Sequence, residues 1–198
     1  MRTCALTVLA LLIIAAGPQE KPSAPKGGLK PGDELPDPFQ PYNVNGKFKG
    51  RFHCLVCQHG LNPVAAVFVR GTDNLESVGP LLQALETAVK DKKNEKARLA
   101  AFAVFVDEQL PDVVGNDDKR EELAKKLDDL AGKLDRVTLS LESKANLEKY
   151  HLDPDADVTL LLYDKLKVVE VKPLAKAKLT KESVPALVSE TVAKLVKK

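Results

Sequence analysis

The chain has 198 residues, 44% of them apolar, 29% charged and 5% aromatic, with a formal charge of +2. This composition excludes a chain disordered throughout and a fibrous or low-complexity one, and the near-balanced charge offers no electrostatic grip on nucleic acid. Three cysteines are too few for a disulfide-built mini-protein, and the length suits one domain with an ordinary core.

The first residues read as an address. Arg2 precedes an apolar run from Ala5 to Ala16, and Ala15, Ala16 and Gly17 follow as small residues. That is the order of a secretory signal peptide, and the run falls short of the roughly 20 residues a spanning helix needs. We expect residues 1–17 to be removed and Cys4 to go with them. Residues 18–32, rich in Lys, Pro and Gly, read as a flexible linker, and 33–198 as one domain. The expected location is exported, either periplasmic or secreted, with no membrane association after cleavage.

Within the domain, Phe39–Asn43 and Lys47–Phe52 flank Asn45-Gly46, a hairpin signal because both residues tolerate positive φ. Val64–Val69 and Leu99–Val106 are continuous apolar runs of strand length, as in strands covered on both faces. Between them Leu75, Val78, Leu81, Leu82, Leu85 and Val89 recur at helical spacing. Leu123, Leu127, Leu130 and Leu134 do so after Asp117-Asp118, acids suited to the positive end of a helix. Val137–Leu141 reads as a strand, Lys144–Tyr150 as a short helix, and Val158–Tyr163 with Lys167–Val171 as strands joined by a turn at Asp164-Lys165. Ser183–Val196 closes the chain as an amphipathic helix capped by Ser183, with Pro185 harmless in its first turn.

This order, with Lys30-Pro31-Gly32-Asp33-Glu34-Leu35-Pro36-Asp37-Pro38-Phe39, Gly46, Lys149-Tyr150, Val158–Asp164 and Lys167-Val168-Val169, resembles the thioredoxin-like superfamily. It is nearest to exported members related to alkyl hydroperoxide reductases and thiol-specific antioxidants. The resemblance covers about residues 30–198. It implies an α/β fold: a three-layer α/β/α sandwich with a central mixed sheet and an N-terminal β-hairpin. It also exposes departures. The family's reactive Cys sits just after the first core strand, where this chain has Arg70-Gly71-Thr72-Asp73-Asn74. The family's cis-Pro stands where this chain has Val158, and a cis bond there would cost several kcal/mol.

The chemistry-bearing motif is His53-Cys54-Leu55-Val56-Cys57-Gln58-His59. A redox-active dithiol/disulfide is the leading reading: Cys54 attacks, Cys57 resolves, and imidazolium at His53 or His59 favours thiolate. The partner would be a protein thiol or disulfide, with no nucleic acid and no cofactor. The competing reading is a non-enzymatic binding module whose Cys54–Cys57 disulfide is a structural clip. A third is Zn²⁺ or copper(I) held by His53, Cys54, Cys57 and His59, a crowded set for one tetrahedral ion. Gln58 stands where c-type haem attachment needs His.

Position adds a constraint. The motif leads into the strand at Val64, whereas sites in parallel sheets gather where strands end. His151 reads as a helix-end residue, the run Asp117–Glu122 as a solvated helix start, and Asp153, Asp155 and Asp157 as turn chemistry.

Overall fold

The computed structural model describes residues 28–107 and 116–196. Its strands are β1 (Tyr42–Asn43), β2 (Val64–Arg70), β3 (Ala100–Asp107), β4 (Thr138–Ser143), β5 (Val158–Asp164) and β6 (Lys167–Leu174). Its α-helices are α1 (Leu55–His59), α2 (Leu75–Lys90), α3 (Lys92–Lys96), α4 (Asp117–Ala131) and α5 (Ser183–Leu195). Short 3-10 segments occupy Ala145–Tyr150 and Lys176–Lys178.

The strands form one mixed sheet in the order β1-β4-β3-β2-β5-β6. β2, β3 and β4 are parallel, while β5 runs antiparallel to β2 and β6 antiparallel to β5. The apolar runs fall in the middle because both faces there are covered. Every residue of β3 is buried, and every residue of β2 except Arg70. Alternation sorts the side chains. Ala65, Val67 and Val69 of β2 join Leu81, Leu82, Leu123, Leu127, Val184 and Val188, the inward faces of α2, α4 and α5. Val64, Ala66 and Phe68 join Leu55, Val56, Leu147, Tyr150 and Phe39 on the opposite face. The layers are therefore helix, sheet, helix, with the second helical layer reduced to α1, a 3-10 turn and the Phe39 segment.

The N-terminal hairpin survives only as a short pairing. Tyr42 bridges Phe52, Asn43 N–H donates to Arg51 O (3.0 Å), and His53 N–H donates to Pro41 O (3.1 Å). The expected long arms do not form, because the turn is committed to β4 instead. Buried Asn45 donates through Nδ2 to Leu134 O (3.2 Å) and Val137 O (3.1 Å), and its Oδ1 accepts from Leu139 N–H (2.6 Å). Gly46 has φ +75°, a conformation that favours glycine, and a Cβ there would sit a tight 3.1 Å from Thr138 Oγ1.

Three sequence expectations shift in detail. The β5–β6 turn centres on Lys165-Leu166, both at positive φ (53° and 60°), one residue later than expected. Leu134 lies beyond α4, which ends at Ala131. Ser183 is the first residue of α5 and not its cap: its N–H donates to Thr180 Oγ1 (3.2 Å) while its Oγ accepts from Thr180 N–H (3.0 Å), a reciprocal pair that ties the helix start to the residues before it.

The chain start also engages the sheet. Gly32 N–H donates to Val168 O (2.8 Å), Val168 N–H donates to Asp33 O (2.8 Å), and Leu29 packs against the Phe39 side of the core. The expected signal residues 1–17 and residues 18–27 of the expected linker lie outside the described residues. No helix among the described residues is long and apolar enough to cross a membrane.

Candidate functional site

Cys54 and Cys57 form a disulfide, with Cα atoms 5.3 Å apart and Leu55 and Val56 between them in sequence. The local fold makes this pairing. Cys54 is the N-cap of α1, and its Sγ accepts the Cys57 backbone N–H at 3.0 Å. Leu55 and Val56 anchor the helix in the core, being 0% and 6% exposed. Cys57 is thereby turned outward and is exposed, while Cys54 is half-buried against the core. A helix this short leaves no periodic signal, so its existence was not legible in the sequence.

The flanking histidines do not converge on the sulfurs as a charged pair. His53 stacks on Phe48, ring centres 3.5 Å apart. His59 lies parallel to Phe102 at 5.9 Å, and burial lowers its pKa from 6.5 to about 4. His59 is therefore neutral at neutral pH, which corrects the expectation that an imidazolium there favours thiolate. Both Nε2 atoms are buried without a hydrogen-bond partner among the described residues. No group of three or more His, Cys, Asp or Glu side chains among the described residues is arranged to hold a metal ion. The set His53, Cys54, Cys57 and His59 is thus not assembled as a coordination sphere, because each ring is spent on an aromatic neighbour.

Strand register fixes which pole the disulfide occupies. Val64, the first residue of β2, pairs with Ala100 at the start of β3 and with Tyr163 near the end of β5. The β5–β6 turn therefore sits at the amino pole of the parallel strands. Leu166 of that turn and Cys57 line the same cleft, of about 240 Å³, with Leu35, Pro36, Asp37 and Pro38. The disulfide is at this amino pole. The carboxyl pole, where parallel sheets usually place their sites, carries Arg70 at the end of β2 with Gly71 and Thr72 after it, and a small hollow of about 60 Å³ lined by Arg70, Lys144, Asp153 and Thr159. All described peptide bonds are trans.

The comparisons with known proteins bear on the frame. No protein-family model matches the chain, and no curated protein matches it. Solved structures do. A Chlorobium tepidum protein named as the thiol:disulfide interchange protein DsbE superposes with TM-score 0.59 at 17% identity, over 85% of this chain and 100% of that one. The fold is thioredoxin-like. The thioredoxin domain of a Bacteroides vulgatus thiol-disulfide oxidoreductase gives TM-score 0.55 at 18% identity, over 83% of this chain and 99% of that one. Yeast Sco1 with copper bound gives 0.53 at 13%, over 83% and 96%. On this thioredoxin-like frame the end of β2 and the segment after it read Arg70-Gly71-Thr72-Asp73-Asn74, without cysteine. The Cys pair instead occupies the connection ahead of β2.

Sequence reasoning reached Cys54, Cys57 and their flanking histidines. It did not reach Leu35 and Leu166, which line the cleft beside Cys57. Both are single apolar residues in otherwise polar or turn-rich stretches, and only the folded chain brings them together.

Proposed function

We propose that the protein performs thiol–disulfide exchange with protein partners through Cys54 and Cys57. The observation that carries this is an outward-facing Cys57 bonded to a Cys54 whose Sγ already accepts a backbone N–H. A hydrogen bond to sulfur favours its thiolate form, making Cys54 the better leaving group. A partner thiolate attacks Cys57 Sγ, the Cys54–Cys57 bond breaks, and its electron pair departs on Cys54 as thiolate. The product is a mixed disulfide between Cys57 and the partner. A second partner thiolate attacks the partner's sulfur and releases Cys57 as thiolate. The partner gains a disulfide and loses two electrons, which the Cys54–Cys57 pair receives. In the reverse direction Cys57 contacts the partner and Cys54 resolves, opposite to the order the sequence suggested, because exposure favours Cys57.

Thiol–disulfide oxidoreductases among the structural neighbours support this reading of the frame. Removal of residues 1–17 and export of the remaining chain belong to the same proposal, supported by the Arg2, Ala5–Ala16 and Ala15-Ala16-Gly17 pattern. An oxidising compartment would keep the pair available as a disulfide.

One observation favours a second reading, a binding module with a structural clip: the pair sits at the pole opposite the one parallel sheets normally use. The reduction potential separates the two. A value between about −120 and −270 mV is expected for exchange, and one well below about −300 mV would establish the clip. The Cys54→Ser/Cys57→Ser variant should lose all exchange with a dithiol while keeping the fold.

A further inference from the structure

Asn45-Gly46 carries a reactivity that the fold holds in check. Among the asparagines of the chain, Asn45 alone is followed by glycine. With no Cβ on residue 46, the backbone nitrogen there is open to approach and free to turn towards the preceding side chain. The reaction available is intramolecular. Gly46 N attacks Asn45 Cγ, an N–C bond forms, and the Cγ–Nδ2 bond breaks as Nδ2 leaves with the Gly46 proton as ammonia. The resulting five-membered imide takes up water at either carbonyl carbon and opens to an aspartyl or an isoaspartyl link. Ammonia is lost, water is gained, and nothing is oxidised or reduced.

The folded chain blocks this step. Asn45 is 7% exposed. Its Nδ2 donates to Leu134 O and Val137 O and its Oδ1 accepts from Leu139 N–H, so Cγ cannot swing towards Gly46 N without breaking these bonds. The backbone on both sides is tied as well. Val44 N–H donates to Leu139 O (2.8 Å), Gly50 N–H to Asn43 O (2.8 Å) and Lys49 N–H to Gly46 O (3.2 Å). The same contacts make the product incompatible with the turn. A carboxylate at position 45 has no N–H to give Leu134 O and Val137 O, and it sets its own lone pairs against theirs. Buried there without donors, it would destabilise the turn. An isoaspartyl link adds a carbon to the main chain between the tied flanks and so breaks their register with β4.

We propose that Asn45 is a deamidation site, closed in the native chain and open in the unfolded one, whose modification stops the hairpin turn from rejoining β4. Time spent unfolded is thereby written into the chain as a covalent change, and water is the sole co-reactant. The inference is independent of the chemistry at Cys54 and Cys57.

The test incubates the full chain, disulfide intact, in mildly alkaline buffer with and without urea. Proteolysis and fragment mass spectrometry then follow the exchange of ammonia for water at each asparagine. In urea, Asn45 should react about tenfold or more faster than Asn43, whose successor Val44 is β-branched and crowds its own backbone nitrogen. Without urea, Asn45 should react about tenfold or more slower than it does in urea, because only opening of the turn releases its side chain. Equal rates at Asn45 with and without urea overturn the protection, and equal rates at Asn45 and Asn43 in urea overturn the site. When the aged chain is diluted out of urea, molecules modified at Asn45 should stay sensitive to protease while unmodified ones become resistant. Asn45→Asp, the aspartyl product made directly, should lower the urea midpoint by about 1 M or prevent folding altogether. A midpoint equal to that of the wild type, or modified chains that refold as well as fresh ones, overturns the consequence for the turn.

Discussion

Single residues at this site are set by burial more than by charge. His59 sits two positions after Cys57, yet its ring is inside, parallel to Phe102, with a pKa lowered by desolvation to about 4. The unfolded chain takes up a proton near 6.5 and the folded chain resists until about 4. Stability contributed by neutral His59 is therefore present above pH 6.5 and lost as pH falls towards 4. At about 1.4 kcal/mol per unit, the upper limit is roughly 3 kcal/mol. Urea midpoints at pH 7 and pH 4.5 should show a larger drop for the wild type than for His59→Leu, by roughly 2 kcal/mol. Equal drops would mean that the ring is solvated. Tyr150 and Tyr163 show the same effect at the other extreme: burial pushes both phenols well above 10, with Asp37 adding to it at Tyr150 and Tyr150 adding to it at Tyr163.

Elements are joined by a few buried polar groups at places hydrophobic patterning does not mark. Glu86, on the inner side of α2 and 5% exposed, receives the backbone N–H groups of Asp135, Arg136 and Val137 at 2.8–3.1 Å. Lys90 Nζ adds an ion pair at 2.8 Å. Burial alone would raise the carboxyl's pKa. Lys90 and the three N–H groups outweigh it and hold the pKa below the ordinary value. The carboxylate thus fixes the entry to β4 against α2, as Asn45 fixes the hairpin turn to the same entry. Glu86→Ala leaves three N–H groups without their acceptor and should cost roughly 3 kcal/mol by denaturant unfolding. Glu86→Gln, which keeps an oxygen acceptor, should cost less. A loss below about 0.5 kcal/mol for Glu86→Ala, typical of a surface change, would refute the latch.

Across the whole molecule, stability is expected to follow the sheet order. β2 lies between parallel β3 and antiparallel β5, with both of its faces under apolar cover. Its amides should exchange slowest with solvent, together with those of β3, while β1, two residues long at the edge, should exchange early. Hydrogen exchange resolved to individual amides checks this, and faster exchange in β2 than in β6 would contradict the core assignment. Cys54 packs at the edge of that core and Cys57 is exposed at the amino pole, and neither belongs to a strand, so the disulfide takes no part in the central ladder.

The sequence by itself determined the frame. The apolar runs at Val64–Val69 and Leu99–Val106 could only be buried as covered strands, and the leucine spacing in α2 and α4 left one face for each helix to bury. The Cys54–Cys57 pairing was legible because a separation of three residues keeps two sulfurs within reach whatever surrounds them. Tertiary structure decided what local pattern cannot encode. It turned Asn45 inward because its amide matches backbone groups about ninety residues further along the chain. It neutralised His59 because desolvation depends on Phe102, a residue of another element. It also placed Cys57, Leu166 and the stretch from Leu35 to Pro38 along one cleft, since which residues share a pole follows from strand direction and register. The motif's composition was written in the chain, and its accessibility and neighbours were settled only when β5 paired antiparallel to β2.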